Sequence, residues 1–104
     1  MRGVEIFCAH AQRQSGNSLR CFDLSGHAAQ LNITANVIDP GPVETDINSQ
    51  FLTKPEIGKG IEEQTALRRI GEVEDITNLA RFLASSRSRW ITGQYIAAHG
   101  GFRL

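Results

Sequence analysis

The sequence predicts an α/β fold: one strand–helices–strand crossover of a doubly wound parallel sheet, incomplete as a domain. Three observations carry that expectation. Residues 33–38 (Ile-Thr-Ala-Asn-Val-Ile) form a short β-branched run closed off by turn residues. Residues 73–85 place Val73, Ile76, Leu79, Ala80 and Leu83 at the three- and four-residue spacing of one helical face. Residues 94–98 (Gln-Tyr-Ile-Ala-Ala) form another short run that leads into Gly100 and Gly101. Strands separated by this much helical sequence cannot close as a hairpin, so they pair in parallel through a crossover.

Taken in order, residues 4–9 are compatible with a short strand, and residues 12–31 with a loose helix built on Leu19, Phe22, Leu24, Ala28 and Leu31. Gly16 and Gly26 each weaken that helix by roughly 1 kcal/mol relative to alanine. The 33–38 strand must stop at Asp39-Pro40-Gly41-Pro42, because two prolines remove backbone donors and fix φ. A polar, loosely helical stretch follows from Glu44 to Thr65. Its second helix starts at Lys54-Pro55-Glu56, since proline suits a first turn. In the 73–85 helix Glu72, Glu74 and Asp75 stand where negative charge complements the helix dipole, with Arg81 towards the other end.

Bulk composition removes several classes of function. The 104 residues carry 11 basic and 11 acidic side chains, a net charge of zero, with no basic block to track a phosphate backbone. No apolar run is long enough to span a bilayer, and no leader pattern opens the chain. The expectation is a cytoplasmic protein with neither nucleic-acid nor membrane partners. Two cysteines, Cys8 and Cys21, are too few for a disulfide framework. Cys8 and His10 lack a second Cys/His pair to complete a metal site.

The run Ile33-Thr-Ala-Asn-Val-Ile-Asp-Pro-Gly-Pro-Val-Glu-Thr-Asp46 resembles the strand and Pro-Gly loop that follow the catalytic helix of short-chain dehydrogenases/reductases. Further on, Leu67-Arg-Arg-Ile-Gly71 with Glu74-Asp75-Ile76 is similar to that family's Arg-x-Gly-x-Pro-Glu-Asp-Ile segment. Phe82-Leu-Ala-Ser85 and Ile91-Thr-Gly-Gln-x-Ile96 match its run into the last strand, and His99-Gly100-Gly101 stands where it usually ends in Asp-Gly-Gly. Each match alone is weak; together, in this order across residues 33–101, they identify the family. Residues 1–14 stay unassigned within a single unit spanning 1–104.

The resemblance implies the C-terminal portion of a Rossmann-like sheet, NAD(P) as the cofactor, and reduction of ketones such as 3-oxoacyl or polyketide substrates. It implies that Pro40, Gly41, Val43 and Thr45 face the nicotinamide half of the cofactor, at the C-terminal end of their strand. Val43 would offer backbone groups to the carboxamide, and Thr45 a hydroxyl to it or to the adjoining phosphate. Gly41 would let the backbone approach the ring. Residues 44–67 would cover the substrate, and the last strand would take part in a homo-oligomer or in contact with a relative's subunit.

Departures from the family pattern are equally specific. The chain has no Gly-x-x-x-Gly-x-Gly turn to hold a pyrophosphate, and no Asn-Ala-Gly or catalytic serine segment. Counting back about thirty residues from Pro40, the family's interval, the places of the catalytic Tyr-x-x-x-Lys fall on His10 and Gln14. Neither residue replaces a phenol that donates a proton or an ammonium that lowers its pKa. No catalytic residue is therefore assigned. The expectation is a truncated oxidoreductase remnant, inactive as an isolated chain; the alternative is a non-catalytic protein that associates with a full-length relative.

A sheet cut at its edges leaves backbone groups and apolar faces without cover. The chain should accordingly be marginally stable or oligomeric. Denaturant titration at low micromolar concentration, with light scattering, should give a broad or concentration-dependent transition; a sharp two-state transition of a monomer would contradict this.

Overall fold

The computed structural model describes residues 3–8, 23 and 26–103. Its main sheet is three-stranded and entirely parallel, in the order β1 (Gly3–Cys8), β2 (Ile33–Pro40), β5 (Tyr95–Ala98). Between β2 and β5 the chain runs through β3 (Val43–Glu44), α2 (Ser49–Leu52), α3 (Pro55–Gln64), β4 (Gly71–Glu72) and α4 (Val73–Ala84). Helix α1 is described over residues 26–30, just before β2. This is the expected parallel α/β crossover. It adds a second, two-stranded parallel ribbon, β3 with β4, that periodicity alone does not reveal.

Strand β2 is the centre of the molecule. Its six inner residues are all buried, as both faces of a parallel strand must be. Ala35, Val37 and Ile38 are among the most deeply buried apolar residues, and Leu83 of α4 joins them with no exposed surface. Asn36 is just as deep, and both polar atoms of its side chain are bonded: its Nδ2 donates to the Ile91 carbonyl (3.2 Å), and its Oδ1 accepts from the Gln94 amide (3.1 Å). An amide side chain inside an apolar layer is tolerable only when satisfied in this way. It ties the middle of β2 to the loop that feeds β5.

Lys54 is extended and Pro55 is the first residue of α3, so the expected start is found. Helix α4 ends one residue short of the expected Ser85, whose hydroxyl donates to the Phe82 carbonyl at 2.7 Å. The apolar stripe of α4 needs correction at one end. Leu83 is fully buried, but Val73 is half exposed, because it is the first residue of the helix and lies beside the β3–β4 ribbon rather than over the sheet. Residues 9–22, which hold most of the expected 12–31 helix together with His10, Gln14 and Cys21, lie outside the described residues.

Asn36→Ala should cost about 1–3 kcal/mol, the penalty for leaving a buried amide and carbonyl without partners. Urea unfolding of the variant should show a lower midpoint, and an unchanged midpoint would show that the Asn36 bonds do not hold β5 in place.

Candidate functional site

The site forms where β2 and β5 end together. Pro40 is paired with Ala98, and the Gly41 amide donates to the Ala98 carbonyl at 3.3 Å. Gly41 sits so close to the residue following β5 that a Cβ there would overlap the Cβ of His99 and lie 2.8 Å from its Cα. Overlap with backbone cannot be relieved by a rotamer change, so glycine is required. This constraint comes from His99 and is not visible in the sequence. Pro42 then turns the chain, and its carbonyl accepts from the Gly71 amide at 2.9 Å, starting the β3–β4 ribbon.

Beyond the ribbon the loop is locked by Asn48, which sequence reasoning passes over. Its Nδ2 donates to the Val43 carbonyl (2.8 Å), its Oδ1 accepts from the Thr45 amide (2.6 Å), and the Thr45 carbonyl accepts from the Asn48 and Ser49 amides (3.2 and 2.9 Å). Thr-x-x-Asn before a helical turn is a recognisable local signal, since asparagine readily bonds nearby backbone. The four expected residues are thus consecutive in space but face different hollows. Pro42 and Val43 line a cavity of about 170 Å³ with Thr65, Leu67 and His99; Thr45 lines an open hollow of about 470 Å³ with Glu44, Asp46, Ser49, Glu72 and Val73. Pro40 and Gly41 form the stem that places both.

The ribbon is anchored from its other side by an ion pair. Both terminal nitrogens of Arg69 reach the Asp75 carboxylate, at 2.8 and 3.0 Å, and the same carboxylate accepts the Glu72 amide at 2.7 Å. The guanidinium hydrogen bond and the backbone amide hold the Asp75 carboxyl down from the ordinary 3.8 to about 2. Arg69 and Asp75 belong to the segment singled out from sequence, but their pairing across β4 was not foreseeable from the motif. Gly71 is tightly packed as well: a Cβ there would lie 3.2 Å from Val43 Cγ2 and 3.3 Å from the Pro42 carbonyl oxygen.

The other candidates fall away from this region. His27 is exposed and within 3.0 Å of the Asp23 carbonyl in its own helix. Lys54 precedes α3 and lies 6.0 Å above the Phe51 ring, while Lys59 is exposed on α3. Tyr95 opens β5 and packs against Val37. Among the described residues no group of His, Cys, Asp or Glu could hold a metal ion, and no helix is long and apolar enough to cross a membrane.

A crossover whose loop emerges at the C-terminal ends of parallel strands defines the ligand crevice of an open α/β sheet. Comparison with known proteins narrows this class. The family described as "Enoyl-(Acyl carrier protein) reductase" matches residues 23–103. The 7alpha-hydroxysteroid dehydrogenase of Escherichia coli (strain K12) is 39% identical over 80 residues, which cover 77% of this chain and 29% of that protein. The chloroplastic NADPH-dependent aldehyde reductase 2 of Arabidopsis thaliana is 44% identical over 72 residues, covering 69% of this chain and 26% of that one. The crystal structure of hydroxysteroid dehydrogenase from Escherichia coli superposes with a TM-score of 0.78 at 27% identity, covering 96% of this chain and 46% of that structure. The chain belongs to the short-chain dehydrogenase/reductase family and has part of its Rossmann-like fold. It spans roughly a third of the length of the curated relatives it matches, for example 29% and 36%.

The Asp75 carboxyl is depressed in the folded chain, so its contribution to stability is present above the ordinary carboxylate value and is lost as pH falls from about 4 through about 2. Asp75→Asn should lose that acid limb and leave stability flatter from pH 5 to pH 2. An identical acid limb in the variant would remove Arg69–Asp75 as its source.

Proposed function

We propose that this chain provides the nicotinamide-facing loop of an NAD(P)-dependent carbonyl oxidoreductase, with Val43 and Thr45 meeting the carboxamide end of the cofactor. The carrying observation is the placement of residues 40–45: a rigid turn at the C-terminal ends of β2 and β5, fixed by Asn48 on one side and the β4 ribbon on the other. When bound, the cofactor would supply the hydride that reduces a carbonyl carbon. The residues present fit a neutral amide. The Val43 carbonyl uses one lone pair on Asn48 and retains a second, and a threonine hydroxyl can both donate and accept.

Electrostatics select between the two roles open to Thr45. The hollow it lines also carries the carboxylates of Glu44, Asp46 and Glu72, which disfavour a phosphate through like charge. The carboxamide is therefore the partner assigned to Thr45. Ketones of the 3-oxoacyl or hydroxysteroid type are the proposed substrates, supported by the resemblance of the loop and by the names of the relatives. With His10 and Gln14 at the places of the proton donor and its lysine, the 104-residue chain alone should not turn such ketones over. A second reading rests on the outer edges of β1 and β5, which pair with no further strand among the described residues: association with another copy or with a full-length relative.

The test is an amide NMR titration with reduced nicotinamide mononucleotide, followed by the same titration with inorganic pyrophosphate. The mononucleotide should shift the Val43, Thr45 and Asn48 resonances, and Thr45→Val should weaken its binding about three- to tenfold, the worth of one neutral hydrogen bond. Pyrophosphate should leave Thr45 unmoved. Absence of mononucleotide shifts at millimolar concentration, or shifts confined to residues away from 40–48, would overturn the assignment.

A further inference from the structure

Charge is segregated along the molecule. Helix α4 runs for twelve residues, about 18 Å, and the regions at its two ends carry opposite signs. At its start, the hollow lined by Glu44, Asp46 and Glu72 has no cation among its lining residues, and the half-exposed Val73 forms part of its wall. Ile47, next in the chain to Asp46, is 97% exposed. Past the end of α4, Ser88 is buried and its hydroxyl donates to the Leu83 carbonyl at 2.8 Å, which fastens a single 3₁₀ turn, Ser86–Ser88, to the helix. The flanking Arg87 and Arg89 are exposed, and Trp90 beside them is 97% exposed. Arg89 and Trp90 share a hollow with Ile33 and Thr34 at the start of β2, whereas the acidic hollow lies beyond that strand's end. The eight residues of β2, about 26 Å, therefore separate the two poles as well.

Net charge does not hold copies of this chain apart, because it is zero. The field that one copy presents to another is then set by its two poles, and unlike poles attract. Among the described residues, none of Arg87, Arg89, Glu44, Asp46 and Glu72 is in an ion pair, so their charges face outward. Each pole also carries apolar surface: Trp90 at the basic one, Ile47 and Val73 at the acidic one. The sizes match too. A cavity of roughly 150 Å³ holds benzene, and a hollow of about 470 Å³ therefore admits an indole. There the ring would lie against Val73, while its N–H, a donor only, would meet carboxylate acceptors.

We infer that Arg87, Arg89 and Trp90 form a docking surface for a second copy of this chain, with Trp90 of one copy seated in the acidic hollow of the next. The two patches differ, so the contact is heterologous. Every complex keeps a free pole at each end, and association continues as an open chain unless the rotation closes a ring. The contact uses neither open strand edge. Its anchor is one tryptophan, worth about 150–250 Å² of buried surface, against about 800 Å² per partner in a standard interface. The association is accordingly weak, reversible and sensitive to salt. It does not rest on the cofactor reading.

The experiment is sedimentation velocity of the full chain without nucleotide, up to millimolar concentration, at about 0.02 M and about 0.5 M salt, where the screening length is long and short respectively. At low salt the average sedimentation coefficient should keep rising with concentration and show no plateau at a dimer; at high salt it should fall towards the monomer. Trp90→Ala, at an exposed position that folding does not need, should weaken association about tenfold or more. Arg87→Glu with Arg89→Glu should abolish it, and so should Glu44→Lys with Asp46→Lys. Mixing these two charge-reversed chains in equal amounts should restore it, because each then meets an opposite pole. Circular dichroism should show every variant folded as the unmodified chain is. A monomer at all concentrations, a salt-insensitive plateau at a dimer, or growth that Trp90→Ala leaves unchanged would overturn the inference. So would a mixture of folded charge-reversed chains that stays monomeric.

Discussion

The contact on which the site depends is the approach of two backbones at the ends of β2 and β5. Gly41 and His99 meet at a separation that leaves no space for a side chain on Gly41. Every later feature takes its position from that contact. It fixes where Pro42 turns, hence where the β3–β4 ribbon starts, hence where Asn48 can reach both Val43 and Thr45. The rigidity does not come from a large core, since the deeply buried apolar side chains are concentrated on β2 and at Leu83. It comes from backbone bonds and satisfied polar groups laid along the strand ends. Such bonds are directional, and they define the loop more sharply than apolar packing could.

The architecture was largely legible in the sequence. The β-branched run at residues 33–38, the amphipathic residues 73–84 and the proline at the start of α3 each announce their element through local chemistry that tertiary contacts then respect. The Pro-Gly loop was legible as a turn. What stayed hidden is what depends on residues far apart in the chain. The residue that crowds Gly41, His99, lies fifty-eight positions further along the chain. The role of Asn36 depends on Ile91 and Gln94, and the Arg69–Asp75 pair makes sense only once β4 is seen to lie beside β3. Val73 shows the converse error: a residue in perfect register with an apolar stripe that the helix start leaves half exposed.

Two kinds of polar group at this site differ in what they ask of the solution. Asn36 and Asn48 are neutral amides whose bonds are indifferent to pH. Asp75 keeps its charge until the solution is strongly acid, because a guanidinium and an amide both favour the carboxylate.

The ribbon and the Thr65–Phe102 bridge together hold both ends of the chain between Glu44 and Gln64. Beyond Asn48, whose bonds belong to the loop itself, a stretch pinned in this way can vary as a cassette. Doubling the length of a closed flexible loop costs only about 0.6 kcal/mol in closure entropy. Helices α2 and α3 could therefore lengthen, shorten or change sequence without disturbing the turn that they leave and rejoin. Sequence variation can be concentrated there while the strand ends keep their geometry.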